Sequence, residues 1–162
     1  TEGIVTVANY NCPGQTVISG EEAAVQKAAE ALKAAGAKRC VPLKVSGPFH
    51  SSMLEGAGKK LAAELEQIHI GALAAPYVAN VTADYVTDKD AVKDLLERQV
   101  SSSVRWQQSV ERMAADGVDT FLEIGPKKTL SGFLKKIAPK ATGYHVDTME
   151  DMEQVLEALG VQ

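Results

Sequence analysis

The sequence predicts an α/β fold, and three observations lead to that prediction. Short β-branched apolar runs alternate with amphipathic segments of helical period along most of the chain. Clusters of Gly, Pro and Ser separate these segments. The 162 residues are 45% hydrophobic and 23% charged, which is typical of a globular protein rather than a disordered one. Because strands alternate with helices, we expect a mostly parallel sheet covered on both faces.

The first 43 residues predict a strand–turn–strand–helix–strand unit. Residues 4–10 and 16–18 form a hairpin whose turn lies at 11–14, where Pro and Gly occur. Ser19 and Glu22 have the spacing of a capping box for a helix with a buried alanine–leucine stripe, which ends at Gly36. Residues 38–43 follow as the next strand.

The remainder alternates in the same way. The predicted segments are a helix carrying Leu54 to Ile68, a strand at 76–81, a helix from Asp88 to the serine break at 101–103, a helix through Trp106 that ends at Gly117, a strand at 118–124, a helix at 127–137, a strand near Tyr144 and a helix at 149–159.

Composition excludes several classes of protein. A net charge of −4 and a pI near 5.4 argue against a general nucleic-acid partner. No apolar run has the roughly 18 residues of a membrane span. Cys12 and Cys40 are isolated and the three histidines share no ligand spacing, so neither a disulfide framework nor a metal site is expected. Separate cysteines fit a reducing compartment, and we expect a cytoplasmic protein. The chain begins with Thr1 instead of Met, so we expect a fragment.

Residues 45–54 carry the best candidate for chemistry. Gly47 and Pro48 force a turn, which places Phe49 and His50 where an apolar run gives way to a helix. An imidazole fixed on such a junction suits general acid–base catalysis near neutral pH. A histidine that caps the helix or packs in the core is the alternative, and the local sequence leaves both open.

The usual partners of such a histidine are absent from the sequence. No Gly-x-Ser-x-Gly elbow supplies a nucleophilic serine. The run from Gly125 to Thr129 lacks the second glycine of a phosphate-binding Walker loop. His69 ends a predicted helix and is interpreted as a surface residue.

Two groups of amide side chains are further candidates. Asn9 and Asn11 flank Tyr10, so their side chains can face the same way and orient a ligand carbonyl, or they can satisfy the backbone of the adjacent turn. Gln99 lies near the end of an apolar helix, and its local sequence alone indicates an exposed helix residue.

A lysine-rich run follows the predicted strand at 118–124. Residues 126–140 contain Lys127, Lys128, Lys135, Lys136 and Lys140 and no acidic residue. Such a positive patch on an acidic chain either attracts an acidic partner or is an ordinary solvated helix face.

Four separated blocks of the sequence resemble the malonyl-CoA:acyl carrier protein transacylases. The blocks are Ala8-Asn9-Tyr10-Asn11-Cys12-Pro13-Gly14-Gln15, Gly47-Pro48-Phe49-His50-Ser51, Gln99 with Ser103-Val104-Arg105-Trp106, and Glu123-Ile124-Gly125-Pro126-Lys127-Lys128-Thr129-Leu130-Ser131-Gly132. They stand in the family's order and at its spacing. The resemblance covers essentially the whole chain, but only about the C-terminal half of the family's protein.

The resemblance implies a fold. In that family, an α/β-hydrolase-like core carries an inserted ferredoxin-like subdomain. Residues 1–44 resemble the later part of the insert, and residues 45–162 resemble the C-terminal part of the core.

The resemblance also implies a reaction and site residues. A serine takes malonyl from coenzyme A and passes it to the phosphopantetheine thiol of acyl carrier protein, a ping-pong transfer in fatty acid synthesis that uses no cofactor. His50 matches the catalytic base, and Gln99 matches the position whose main-chain carbonyl orients the imidazole. Asn11 and Asn9 match polar positions near the acyl pocket. Phe49 resembles the malonyl-selective pattern, since its ring fills the space that an α-methyl group would need.

The chain departs from the family in ways that matter. The nucleophilic serine, the arginine that pairs with the malonyl carboxylate and the oxyanion hole belong to the half that is absent, so this chain alone is expected to be inactive. Lys127 stands where relatives often have glycine. Expected partners are the absent half and acyl carrier protein, the latter through Lys127, Lys128, Lys135 and Lys136. The alternatives are an acyltransferase domain of a polyketide synthase and a non-catalytic module that binds carrier protein or forms an interface.

Overall fold

Helices and strands are interspersed along the chain, which confirms the predicted α/β class. The computed structural model describes residues 2–45 and 47–161, so predictions that concern Thr1, Ser46 or Gln162 lie outside the described residues. The elements in order are β1 (Val5–Cys12), β2 (Gln15–Gly20), α1 (Glu22–Ala34), a 3-10 turn (Ser52–Leu54), α2 (Glu55–Glu66), β3 (Tyr77–Ala79), β4 (Asp84–Val86), a second 3-10 turn (Lys89–Ala91), α3 (Val92–Ser101), α4 (Trp106–Ala115), β5 (Thr120–Ile124), α5 (Thr129–Ile137), β6 (Thr142–Val146) and α6 (Met149–Leu159).

The chain consists of two compact units. One comprises Thr1–Asn11 and Gln15–Trp106, and the other comprises Cys12–Gly14 and Gln107–Gln162. The boundary between residues 44 and 45 concerns the family's subdomains and stays a prediction.

Strands β1 and β2 form the expected hairpin, although β1 runs further than predicted. The turn contains only Pro13 and Gly14, and Gly14 has a φ of 78°, a conformation that glycine adopts without strain. Helix α1 follows at the predicted place, but the predicted capping box is wrong. Ser19 lies in β2, and Glu21 is the N-cap residue without a side-chain cap bond. The predicted buried stripe of α1 is also mostly open, since Ala24 is its one buried residue.

The predicted strand at 38–43 is wrong. Residues 37–45 have no regular structure, and Val41 and Leu43 are exposed. A strand needs a neighbour to accept and donate its backbone hydrogen bonds, and no segment within the described ranges pairs with this run.

The middle of the chain forms the core of the first unit. Strand β3 is shorter than predicted and pairs antiparallel with β4, a strand that the sequence analysis missed. The buried residues Ala79, Val86, Val92 and Leu95 pack together under these strands and α3. Helix α2 ends before the predicted Ile68, which is exposed together with His69.

The second unit is built on a parallel strand pair. Strands β5 and β6 pair from Thr120 with Thr142 to Ile124 with Val146, and α5 makes the crossover between them. Helix α6 has the predicted bounds, and Thr148 and Asp151 form its capping box. The prediction of one mostly parallel sheet is wrong, because the described strands form three separate two-stranded sheets. Strands β5 and β6 pair in parallel, whereas β3 and β4 pair antiparallel. Of the helices described, none has the length and apolar character needed to traverse a bilayer.

Candidate active site

His50 lies in a strained turn immediately before the first 3-10 turn and α2. Its φ of 58° is in the left-handed region, which costs a residue with a Cβ about 1–2 kcal/mol. Residues held in such a conformation are concentrated at functional sites, because the surrounding structure must hold them there. The side chain of His50 is half-buried, so the ring is partly screened from water and still accessible.

The imidazole of His50 is tied to the end of α3. Its Nδ1 lies 3.2 Å from the backbone carbonyl oxygen of Gln99. A carbonyl oxygen only accepts, so in the neutral ring Nδ1 carries the proton and Nε2 keeps a lone pair. This is the tautomer that a general base needs.

The helix end explains why this carbonyl is available. Gln99 lies in the last turn of α3, where the final four carbonyl groups have no partner within the helix. The negative end of the helix dipole lies at the same end of α3. The side chain of Gln99 donates from Nε2 to the Ser102 carbonyl at 3.1 Å. Its Oε1 is buried and has no hydrogen-bond partner among the described residues.

A glycine permits the close approach of α2 and α3 that brings these groups together. A Cβ placed on Gly58 of α2 would lie 3.0 Å from the Glu97 carbonyl oxygen and 3.7 Å from the Val100 Cβ, both on α3. The turn that carries His50 leads directly into α2, so the spacing of the two helices sets the distance from His50 to Gln99.

Strand β1 is fastened to the segment that follows α3. The Tyr10 amide donates to the Val104 carbonyl at 2.9 Å, the Val104 amide donates to the Ala8 carbonyl at 2.8 Å, and the Ser103 hydroxyl donates to the Val7 carbonyl. Ala8 is buried on one face of β1, while Asn9 and Asn11 are half-buried at alternate positions. The structure thus joins the asparagine strand to the chain that leaves Gln99.

Phe49 offers an apolar surface beside the histidine. Its ring lies over Gly47, with its Cζ 3.6 Å from the position of a Cβ there, and 52% of the residue is exposed.

In the second unit, the carboxylate of Glu123 caps the first turn of helix α5. The carboxylate of Glu123 on β5 accepts from the Leu130 amide at 3.0 Å, from the Ser131 amide at 2.7 Å and from the Ser131 hydroxyl. Burial favours a higher pKa, but these hydrogen bonds and the neighbouring His145 outweigh it, so the pKa of Glu123 lies below its ordinary value of 4.5. The cap fixes the start of α5.

The lysine run lies on and before α5. Lys127, Lys128, Lys135 and Lys136 are all exposed, and the last two lie in the final turn of the helix, where they also complement its dipole. Lys127 has a φ of 71°, a conformation that glycine adopts at no cost and that strains a residue with a Cβ.

Sequence reasoning missed three features of these sites. The closely packed Gly58 lies inside a helix, and the cap on α5 joins residues from separate elements. Ser51 is 0% exposed, and its hydroxyl donates to the Pro48 carbonyl at 2.6 Å. The turn signal at Gly47 and Pro48 was the one local hint of this constraint. Within the described ranges, no group of three or more His, Cys, Asp or Glu side chains is placed to hold a metal ion.

The comparisons with known proteins agree on one relationship. Residues 2–154 match the sequence profile described as "Acyl transferase domain". The malonyl CoA-acyl carrier protein transacylase of Bacillus subtilis is 43% identical over 156 residues, which are 96% of this chain and 49% of that protein. The chain therefore spans about half the length of the curated relatives that it matches.

Solved structures have the same arrangement of elements. The MCAT structure from Streptococcus pneumoniae is 47% identical, with a TM-score of 0.91 over 96% of this chain and 51% of that one. Another match is a chain in the structure of PlMCAT:AntF, a type II PKS acyl-carrier protein in complex with its malonyl-transacylase. The matched chain is 40% identical, with a TM-score of 0.93 over 96% of this chain and 50% of the matched chain.

Proposed function

Since the chain belongs to the acyl transferase domain family, we propose that it is the histidine-bearing half of a malonyl-CoA:acyl carrier protein transacylase. The observation that carries the proposal is the bond from His50 Nδ1 to the Gln99 carbonyl, because it leaves Nε2 as a base at a strained, half-exposed turn. The catalytic assignments of His50 and Gln99 and the substrate-binding assignments of Asn9, Asn11 and Phe49 are part of this proposal.

In the first half-reaction, His50 activates a serine on the half of the family's protein that this chain does not cover. Nε2 takes the serine proton as the serine oxygen attacks the malonyl thioester carbonyl. The resulting imidazolium keeps its bond to the Gln99 carbonyl and faces the negative end of α3. It then gives its proton to the departing thiolate of coenzyme A, which leaves a malonyl ester on the serine.

The second half-reaction reverses these roles. His50 takes the proton from the phosphopantetheine thiol, the thiolate attacks the malonyl ester, and the serine oxygen recovers the proton as it leaves. The acyl group passes from thioester to ester to thioester with no change in oxidation state, so the proposed reaction needs no cofactor.

Exposed apolar residues support the proposal that a complementary half packs on this chain. Ile124 on β5 is 76% exposed and Leu122 is 44% exposed, although parallel strands are normally covered on both faces. Val41, Leu43 and Val45 are exposed in the first unit as well. We propose that residues of the absent half cover these surfaces and bring the serine to His50.

The proposed acceptor is acyl carrier protein, docked on the lysines of α5 and its leading loop. The names of the relatives support this acceptor, and the solved complex supports carrier-protein binding by such an enzyme. That complex also makes a polyketide carrier protein the second candidate acceptor. A cytoplasmic location belongs to the proposal too, supported by Cys12 and Cys40, which are not joined in a disulfide.

The test uses the intact enzyme, in which this chain is joined to the half that it lacks. His50→Ala is expected to lower malonyl transfer to acyl carrier protein by about a thousandfold or more, because the base is lost. His69→Ala is the matched control, since His69 is exposed beyond the end of α2, and it should transfer malonyl normally. Near-normal transfer by His50→Ala would refute the proposed function.

Whether the non-catalytic alternative holds depends on whether the complementary half carries a nucleophilic serine. If the intact protein has no nucleophilic serine that malonyl-CoA acylates, the chain belongs to a carrier-protein or interface module.

A further inference from the structure

We infer that Ser51 is a positioning residue for the proposed base, acting on the backbone of His50 and not on substrate. This inference rests on the proposed function and adds to it a residue whose hydroxyl never meets the reacting atoms. It explains how a non-glycine residue is kept in a left-handed conformation at this turn.

The hydroxyl of Ser51 closes the turn that contains the histidine. Its Oγ donates to the Pro48 carbonyl at 2.6 Å, so the bond spans Phe49 and His50. The Ser51 carbonyl accepts from the Leu54 amide at 3.0 Å and begins the following 3-10 turn. Ser51 therefore links the strained residue both to the proline before it and to the helical segment after it.

Burial argues that the hydroxyl itself is needed. Ser51 is 0% exposed, and a buried hydroxyl is unfavourable unless it makes a hydrogen bond. Alanine would fill nearly the same volume without that requirement. The role of the hydroxyl is therefore its bond to Pro48, whose ring restricts its own φ and makes it a rigid anchor.

Two ties together define the position of the imidazole. The backbone of His50 is held through Ser51, and the ring is held by the Gln99 carbonyl at 3.2 Å. Without the first tie, the left-handed residue can relax to an ordinary conformation, and the ring then leaves the end of α3. A displacement of about 1 Å at a catalytic group can cost about a hundredfold in rate.

The experiment compares Ser51→Ala, Ser51→Cys and Ser109→Ala in the intact enzyme. Ser109 is the control because it is 2% exposed on α4 and lies outside the turn. Ser51→Ala is expected to lower kcat by about ten- to a hundredfold while KM for malonyl-CoA changes by less than about twofold, because substrate binding is untouched. Ser51→Cys should recover part of the loss, since a thiol is a weak hydrogen-bond donor. Ser109→Ala should change Tm more than kcat.

A second readout separates positioning from loss of folded protein. With ¹⁵N-labelled histidine, the Nδ1–H resonance of His50 should be sharp in the unaltered enzyme and broadened or lost in Ser51→Ala, with the far-UV circular dichroism unchanged. If Ser51→Ala does not fold, Ser51→Cys decides, and a reduced kcat with a broadened His50 resonance supports the inference.

The inference is overturned if the folded Ser51 variant keeps both the kcat and the His50 resonance of the unaltered enzyme. It is also overturned if Ser109→Ala loses as much kcat as Ser51→Ala. His50→Ala separates the two claims, because an inactive His50→Ala enzyme beside a fully active Ser51→Ala enzyme contradicts the inference alone. Full activity of His50→Ala contradicts the proposed function.

Discussion

At His50, the side chain and the backbone are held by different parts of the chain. The ring bonds to a helix-end carbonyl, and the strained backbone sits in a turn closed by Ser51. A carbonyl in place of the usual carboxylate keeps the tautomer of the ring correct but gives no full negative charge to the imidazolium. The ring also lies at the negative end of the α3 dipole. The proposed site thus obtains a catalytic base largely from backbone groups.

The proposed steric role of the Phe49 ring leads to a testable prediction. Phe49→Ser should relax discrimination against methylmalonyl-CoA by about ten- to a hundredfold, because a smaller side chain leaves room for the α-methyl group, which is worth about 1–3 kcal/mol in a pocket. The measurement is the ratio of kcat/KM for malonyl-CoA to kcat/KM for methylmalonyl-CoA. Ile68→Ser, which removes exposed apolar surface beyond the end of α2, is the control and should keep the ratio of the unaltered enzyme. An unchanged ratio in Phe49→Ser would remove the steric role of the ring.

At the scale of elements, the packing of α2 on α3 positions His50 relative to Gln99, and the Glu123 cap fixes the start of α5. Gly58 lets one helix approach the backbone of the other, and Glu123 joins β5 to the first turn of α5. Each contact lies away from the groups that would react. We therefore expect changes there to act through geometry and stability.

Gly58→Val should lower both Tm and kcat/KM, the latter by at least about tenfold, because its side chain would push α2 away from α3 and separate His50 from Gln99. Gly56→Val is a close control, since Gly56 lies on the same helix with nothing within 4 Å of its Cβ position. The helix-spacing explanation fails if the two variants behave alike in thermal unfolding and steady-state kinetics.

Glu123→Gln should lower Tm near neutral pH, because the amide accepts more weakly from Ser131 and Leu130. The pKa of Glu123 is depressed in the folded state, so its contribution to stability is present above the ordinary value of 4.5 and is lost as pH falls through the folded pKa. The Tm difference from the unaltered protein should therefore shrink as the pH is lowered below 4.5. Glu153→Gln on α6 should show little difference at any pH. A Tm difference that persists at low pH would show that the carboxylate charge is not the cause.

The elements also show what sequence can and cannot predict. Helix α6 was predicted to the residue, since its apolar period is a local signal. The strand at 38–43 was wrong and β4 was missed, because pairing depends on neighbours that a short segment does not specify. Gln99 was predicted to be the partner of His50 through the resemblance alone, since a backbone carbonyl leaves no side-chain signature, and the structure brings the two groups together. Ser51 was missed because its role depends on the φ of the residue before it.

At the scale of the whole molecule, two features of the chain support the proposal that it is one half of an enzyme. It matches about half the length of its curated relatives, and it exposes apolar residues on a parallel strand pair. The proposed base is here, whereas the proposed nucleophile belongs to the other half. The lysines of α5 are the proposed contact with the carrier protein.

The docking role of α5 predicts a selective change in affinity. Reversing Lys135 and Lys136 to Glu should raise KM for acyl carrier protein by about tenfold at low ionic strength, with little change for malonyl-CoA, because an acidic partner would lose attraction. The control reverses Lys59 and Lys60, an exposed pair at the same spacing on α2. Equal changes in KM for both substrates, or an equal effect of the control pair, would argue against docking on α5.

The central claim is that His50 is the base that lets a serine accept malonyl. The most direct measurement is the rate at which the intact enzyme gains a covalent malonyl group from malonyl-CoA, followed by rapid quenching and mass spectrometry. We predict that the ester forms in the enzyme with His50 and forms about a thousandfold more slowly in His50→Ala. Formation of the ester at the same rate in both proteins would contradict the claim.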